Sequence, residues 1–125
     1  ILDGENFLGC LIRNFDPARE RCWLAEHQGR MVGSLCLVRV KEDVAELRLP
    51  FVASEARNLG IGKAMLAEAL RFARHVGYKK ITMWTESIHE HARDIFEDAG
   101  LRVMREIQHH RFGKDLTGQH WEMEL

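Results

Sequence analysis

The spacing of apolar residues changes along the chain, and these changes predict its elements. Over residues 6–15 the apolar side chains recur at the 3.6-residue spacing of an amphipathic helix: Phe7, Leu8, Leu11, Ile12 and Phe15. Residues 21–40, RCWLAEHQGRMVGSLCLVRV, alternate between apolar and polar positions on both sides of Gln28-Gly29-Arg30. That alternation predicts two antiparallel strands joined by a tight turn.

The segment AELRLPFV, residues 45–52, predicts a strand with an unusual residue near its end. Apolar and charged residues alternate from Ala45 to Leu49, as in a strand with two different faces. Pro50 lacks the N–H group that a central strand donates to its neighbour. We therefore expect this strand to be an edge strand, to bulge, or to splay from a neighbour near Pro50.

The second half of the chain predicts two helices and three strands. Apolar residues at helical spacing predict a helix over 62–76, which Gly77 caps, and a second helix over 89–100, in which Phe96 belongs to the buried stripe. The segments KKITMWT, LRVMREI and QHWEMEL predict strands, and a polar loop over 109–118 joins the last two. The expected fold is one α/β (α+β) domain over residues 1–125, with a mixed sheet.

Charge and hydropathy argue against several classes of function. The formal net charge is −1, and the basic clusters are only pairs, so we do not expect nucleic-acid binding. No apolar run reaches the roughly 20 residues of a membrane span, and the N-terminus lacks a signal-peptide pattern. These features predict a cytoplasmic protein. Because the chain opens at Ile1 close to a helix-like run, we also expect it to be a fragment of a longer protein.

The cysteines predict neither a disulfide framework nor a zinc site. Cys10, Cys22 and Cys36 are odd in number, widely spaced and set in apolar or strand-like segments. We expect them to be buried thiols.

The joint between the strand 45–52 and the helix 62–76 has the sequence RNLGIG, residues 57–62. The first turn of a helix presents free N–H groups and the positive end of the helix dipole, and glycines allow a ligand to approach the backbone. Arg57 can add a charge-assisted contact, and Asn58 tolerates the left-handed backbone that curls such a loop. These residues predict a pyrophosphate site. The alternative is a tight turn whose glycines only permit the helix to pack on the sheet.

Two familiar phosphate loops do not fit this joint. The segment is not G-x-x-x-x-G-K-[ST], and it lacks the first glycine of G-x-G-x-x-G. Neither a nucleoside triphosphate nor a dinucleotide is the expected ligand.

With both halves of the chain considered, the sequence resembles the GNAT superfamily of acyl-CoA-dependent N-acyltransferases. Residues 57–62 match the R/Q-x-x-G-x-G/A pyrophosphate loop, and HARDIFEDAGL, residues 91–101, resembles the family's later helix, A-x-x-L-Y-E-x-x-G-F. The resemblance implies the GNAT fold: a mixed, mostly antiparallel sheet flanked by helices. Within the family, the chain resembles the C-terminal acetyltransferase domain of bacterial MarR-GNAT fusion proteins. The fold's first strand and a DNA-binding half would then lie before Ile1.

The resemblance also implies the residues that bind the acyl donor, acetyl-CoA. Backbone N–H groups of four residues, together with Lys63 and the side chain of Arg57, would hold the pyrophosphate: Leu59, Gly60, Ile61 and Gly62. The strand at Phe51 and Val52 would pair with the pantetheine arm, in a gap between this strand and KKITMWT. The amine acceptor would approach from the side of residues 6–15 and of the loop 109–118.

Two positions depart from the family's pattern. Many members have a tyrosine on the later helix as general acid, and Phe96 occupies that position here. A backbone N–H two residues before Val52 often donates to the thioester carbonyl, and that residue is Pro50. A shift of the register by one residue would make Phe51 the donor instead. Without the donor, the domain would be slow, or would bind acyl-CoA without turnover.

The expected general base is Glu46, which lies on the strand leading to the acetyl group. The alternative is an ordinary surface carboxylate paired with Arg48. His109 and His110 are expected to lie near the acceptor entrance, whereas Trp84 is expected to be a core residue. Neither this histidine pair nor His89 and His91 has the spacing of a metal site, so no metal is expected.

These observations predict an acetyl-CoA-dependent N-acetyltransferase in which the amine attacks the thioester directly. The acceptor cannot be named from the sequence. An acyl-CoA-sensing module of a DNA-binding regulator is the main alternative, with Phe96 and Pro50 in its favour, and an α/β drug-binding domain without CoA is the second. A homodimer through the C-terminal strands is compatible with the sequence.

Overall fold

The computed structural model describes residues 2–3, 16–85, 90–111 and 113–125. In chain order these form the strands and helices β1 Leu2–Asp3, β2 Arg21–His27, β3 Arg30–Lys41, β4 Val44–Val52, a 3₁₀ helix Ser54–Leu59, α1 Ile61–Val76, β5 Lys80–Thr85, α2 Glu90–Ala99, β6 Arg102–Arg111 and β7 Lys114–Glu124. The helix predicted over residues 6–15 lies outside the described residues. The other predicted helices and strands are confirmed.

The strands form one mixed sheet in the order β1-β2-β3-β4-β5-β7-β6. Among the described strands, only β4 and β5 are parallel neighbours. The tight turn between β2 and β3 has positive φ angles at Gln28 (54°) and Gly29 (77°), as a type I′ hairpin turn requires. The expected mixed, mostly antiparallel sheet is therefore present, with the predicted hairpin as its second and third strands.

The two ends of the described chain differ from expectation. Leu2–Asp3 form a short strand that pairs antiparallel with β2, where the sequence analysis expects the first strand to be missing. The loop predicted over 109–118 is wrong, because β6 continues to Arg111 and β7 begins at Lys114. The backbone groups of a hairpin pair whether its side chains are polar or apolar, so a polar hairpin can resemble a loop in composition.

One face of the sheet packs against both helices, and we call it the helix face. Alternation along the strands places Leu47, Met83 and Trp121 on this face. Trp23 of β2 contacts Phe72 of α1 edge to face, with ring centroids 5.8 Å apart. The opposite face carries the alternate residues of each strand, among them Glu46, Trp84 and Glu122.

Both helices end as the sequence predicts, at glycines with a left-handed backbone. Gly77 has φ 97°, and the N–H groups of Gly77 and Tyr78 donate to the last carbonyls of α1. Gly100 ends α2 in the same way, with φ 111°. These caps fix the direction in which the chain enters β5 and β6.

Cys22 and Cys36 are fully buried thiols outside any disulfide, as predicted, and they face each other across β2 and β3. A hydrogen bond from Cys22 lowers the pKa of the Cys36 thiol. Cys10 lies outside the described residues.

Candidate active site

A gap opens between β4 and β5 partway along the sheet. Their parallel pairing ends at Leu47 and Met83, although β4 continues to Val52. On the other side, the register with β3 shifts so that three residue steps on β4, from Arg48 to Phe51, match two steps on β3. Pro50 lies within this bulge. The strand is central rather than an edge, and it both bulges and splays near Pro50, as two of the three alternatives predict.

The backbone beyond the bulge shows which N–H groups face the gap. The N–H of Ala53 donates to the Val32 carbonyl of β3 at 2.7 Å. Because N–H directions alternate along a strand, Val52 directs its N–H toward the gap, and Phe51 directs its own toward β3. This alternation disfavours Phe51 as the donor to a thioester carbonyl in the gap.

The joint after β4 has the local geometry of an anion site. Gly60 takes the left-handed backbone (φ 74°, ψ 16°) between the 3₁₀ helix and α1. Asn58 does not make this turn, because it lies inside the 3₁₀ helix. The N-terminus of α1 has no side-chain cap and no acidic residue in its first turn. The N–H groups of Ile61, Gly62 and Lys63 therefore have no acceptor within the helix.

The two glycines of this joint serve different purposes. A Cβ at Gly62 would lie 3.4 Å from Val52 Cγ2 and 3.5 Å from Ile95 Cδ1, which is ordinary packing distance. At Gly60 nothing lies within 4 Å of a Cβ, and only the positive φ requires glycine. The packing at Gly62 between β4 and α2 thus leaves room for a small side chain, while Gly60 turns the chain and leaves open space beside the helix N-terminus.

Glu46 lies on the opposite face, one residue before the last position at which β4 pairs with β5. Its carboxylate accepts a hydrogen bond from Arg48 Nε at 2.7 Å, and 29% of its side chain is exposed. The pairing with Arg48 that sequence analysis gives as the alternative is therefore present. The carboxylate nevertheless stands at the start of the gap and is accessible to solvent.

A second cluster of polar and charged side chains lies on the opposite face, and it is not among the features predicted from the sequence. Glu122 of β7 contacts His120 Nε2 at 2.9 Å and Lys80 Nζ at 3.0 Å. These contacts lower the pKa of the Glu122 carboxyl, the His120 contact first, and the same carboxylate raises the pKa of Lys80. Thr82 lies between Glu46 and Glu122 in the strand register. Only the register brings these residues together, since they come from three separate segments.

The aromatic residues near the gap differ in their surroundings. Phe96 is buried and contacts Trp121 edge to face at 5.9 Å, which confirms that it is a core residue. Trp84 is 43% exposed on the opposite face, so the expectation that it belongs to the core is wrong. Phe51 is also half exposed, on the other strand that borders the gap.

The predicted histidines are only partly described. His109 and His110 lie in β6 opposite Leu116 and Asp115, and their side chains are outside the described set, as is His89. Within the described residues, no three or more His, Cys, Asp or Glu side chains are grouped to hold a metal ion. Within the same residues, no helix has the length and apolar character of a membrane span.

Comparison with known proteins gives a family match over most of the chain. Residues 3–101 match the model of the "Acetyltransferase (GNAT) family". The rat N-acetyltransferase family 8 member 3 is 32% identical over 90 residues, which cover 68% of this chain and 40% of that protein. The N-acetylaspartate synthetase of Xenopus tropicalis is 33% identical over 89 residues, covering 70% of this chain and 33% of that protein. The chain thus spans less than half the length of both relatives.

Solved structures show the same fold. A GNAT family acetyltransferase from Elizabethkingia anophelis, solved with acetyl-CoA bound, superimposes with a TM-score of 0.69 at 20% identity. The match covers 86% of this chain and 77% of that one.

Proposed function

The chain belongs to the acetyltransferase (GNAT) family, and on that premise we propose that it transfers the acetyl group of acetyl-CoA to an amine. The observation that carries this proposal is the combination of the gap between β4 and β5 with the uncapped N-terminus of α1 beside it. A strand gap can take an extended pantetheine arm, and the helix N-terminus can take the pyrophosphate.

The donor site is proposed as follows. The N–H groups of Ile61, Gly62 and Lys63 bind the pyrophosphate, and the turn at Leu59 and Gly60 leaves room for it. The side chains of Arg57 and Lys63 add positive charge. Asn58 lies in the same 3₁₀ helix as Arg57. The pantetheine arm lies along the gap edge of Phe51 and Val52, where the Val52 N–H donates to it.

The chemical step is direct attack. The lone pair of the neutral amine forms a bond to the thioester carbon, the carbon–sulfur bond breaks, and CoA leaves as the thiolate. Glu46 accepts the proton from the ammonium, through a water. Phe96 has no proton to give, so the thiolate takes its proton from solvent.

One structural feature supports the acyl-CoA-sensing alternative. Pro50 offers no N–H to the gap, and one oxyanion donor is worth about 3 kcal/mol in a well-studied hydrolase. A domain without this donor would hold acetyl-CoA and turn it over slowly. The names of the proteins compared above do not refer to a DNA-binding regulator, so the comparisons do not support this alternative. The MarR-GNAT resemblance, the bacterial origin, the cytoplasmic location, the homodimer and the roles of His109 and His110 in acceptor binding stay predictions.

Calorimetric titration with acetyl-CoA tests the donor site. The sharpest variants are Gly60→Asp and Gly60→Asn, because asparagine and aspartate have the same shape and both tolerate a left-handed backbone. We expect the aspartate variant to bind acetyl-CoA at least about tenfold more weakly than the asparagine variant, since its carboxylate faces the pyrophosphate.

Two results would contradict the proposal. Wild-type protein that gives neither heat nor a thermal shift at millimolar acetyl-CoA has no donor site. Equal affinities of the two Gly60 variants would place the pyrophosphate elsewhere. If acetyl-CoA binds but no amine of a broad panel is acetylated, the sensing alternative is favoured.

A further inference from the structure

An apolar surface on the opposite face lies beside the gap. Trp84 of β5 and Ile107 of β6 expose 43% and 39% of their surface, although both are large apolar residues. Gly118 of β7 lies between them, opposite Ile107 in the register and beneath the Trp84 ring. We call these three residues the apolar strip.

Gly118 holds the indole in place. A Cβ at this position would lie 2.7 Å from Cη2 of Trp84, closer than side chains approach in folded proteins. A glycine within a strand often marks a place where another group approaches the backbone closely. The indole therefore lies against the backbone of β7, and its orientation is fixed by contact rather than left to solvent.

The strip begins at the gap. Trp84 directly follows Met83, the last β5 residue that pairs with β4. In the pairing of β5 with β7, His120 lies opposite Trp84. His120 binds Glu122, which also binds Lys80. The side chains of His120, Glu122 and Lys80 bind one another and form a polar border along one side of the strip.

Charge near the gap suits an ammonium group at the end of the strip. Glu46 lies at the start of the gap with a partly exposed carboxylate, one oxygen of which accepts a hydrogen bond from Arg48 Nε. An ammonium entering beside it would be attracted before it loses its proton. The rest of such a ligand would extend over β5 and β7, where Trp84 and Ile107 offer an exposed apolar surface.

We propose that the apolar strip binds the acyl acceptor, and that this acceptor is a primary amine with an aromatic or similarly flat apolar group. Its nitrogen points to the gap between β4 and β5, and its apolar group lies on Trp84. The inference rests on the proposed acetyl transfer, because the gap is the place where the acetyl group would be presented.

Tryptophan fluorescence tests binding without turnover. Trp23 and Trp121 are buried, at 6% and 0% exposure, so the fluorescence accessible to a ligand is that of Trp84. We expect 2-phenylethylamine to quench this fluorescence saturably and ethanolamine to leave it unchanged. The quenching should be lost in Trp84→Phe.

Steady-state kinetics with acetyl-CoA tests the same contact in the reaction. Trp84→Ala should lower kcat/KM for 2-phenylethylamine about tenfold and leave that for ethanolamine within about twofold. Trp84→Phe should restore most of the loss. Gly118→Ala, which displaces the indole, should behave like Trp84→Ala. Met104→Ala removes an even more exposed apolar side chain of β6 outside the strip, and it should have no effect.

Acetyl-CoA titration of the same samples separates the two proposals. If acetyl-CoA binds, but phenylethylamine does not quench or Trp84→Ala affects both amines equally, the strip does not bind the acceptor. If acetyl-CoA does not bind, the proposed acetyl transfer fails. Saturable quenching by phenylethylamine would in that case still support the strip as a binding site.

Discussion

Two regions of the molecule differ in whether backbone or side-chain groups build them. One is the joint between β4 and α1, and the other is the opposite face of β5, β7 and β6. At the joint, backbone groups dominate: the left-handed turn at Gly60, the uncapped N–H groups that follow it, and the gap edge of β4. On the opposite face, side chains dominate: Trp84 over Gly118, and Glu122 between His120 and Lys80. If both proposals hold, acetyl-CoA, the ligand common to the family, is held mainly by backbone groups. The acceptor, which is particular to this chain, is then held by side chains.

Variants should therefore separate into two groups. Changes at the joint should alter acetyl-CoA affinity, and changes on the opposite face should alter turnover or acceptor choice with acetyl-CoA affinity unchanged.

Removing the charge of Glu46 should have the largest effect. We expect Glu46→Gln to lower kcat about 100-fold, as is typical of a lost general base, with the acetyl-CoA Kd unchanged. Arg48→Gln is the matched control, because it breaks the same ion pair and keeps the carboxylate. Equal losses in both variants would show that the ion pair, not proton transfer, is what matters.

Restoring an N–H at position 50 should raise the rate. Pro50→Ala adds a donor within the bulge of β4, next to the gap, and we expect kcat to rise about tenfold, a fraction of what one oxyanion donor is worth. Acetyl-CoA affinity, measured by calorimetry, should stay the same. An unchanged kcat would mean that the N–H of another residue already serves the thioester carbonyl.

Introducing the family's tyrosine should lower stability instead of raising activity. Phe96 packs against Trp121 in the core, so Phe96→Tyr places a hydroxyl among apolar side chains. We expect a loss of about 1–2 kcal/mol in the free energy of unfolding, measured in urea, and no gain in kcat. A rise in kcat would show that this position can reach the leaving thiolate.

Glu122→Gln should have the smallest effect, visible as a change in pH dependence. The pKa of Glu122 is lowered, so its contribution to stability is present above the ordinary glutamate pKa near 4.3 and is lost as the pH falls through the lowered value. The pKa of Lys80 is raised, so its contribution persists below about 10.4 and is lost at higher pH. The variant should melt at most about 3 °C lower between pH 5 and 9, with the difference vanishing at both extremes. A difference that is constant from pH 3 to 11 would rule out this charge cluster as its cause.

Most of the fold could be predicted from the sequence because its signals are local. Gln28-Gly29 marked the hairpin, Gly77 and Gly100 marked helix ends, and Pro50 marked the bulge. The sequence did not show where each strand lies in the sheet. The polar segment 109–118 resembled a loop in sequence, although its backbone pairs across β6 and β7.

The candidate site was predictable from the sequence only in part. The residues of the joint are adjacent in sequence, so one short motif named them. Trp84, Gly118 and Ile107 are separated by up to 34 residues and meet only through the pairing of β5, β7 and β6. His120 and Glu122 were missed for the same reason. The pairing of β7 with β5 brings them to Lys80, and this pairing cannot be seen in the sequence of one strand.

The order of strands also bears on how the domain assembles during synthesis. β7 lies between β5 and β6, so β6 cannot join the sheet until residues 114–124 have left the ribosome. Until then β5 has an unpaired edge, and the apolar residues around Trp121 lack their neighbours. Pairings over long sequence separations are slow to form and leave edges open to association with other chains. Folding of this domain should therefore depend on β7, and the emergence of residues 114–124 from the ribosome should set the moment at which the edges of β5 and β6 are covered.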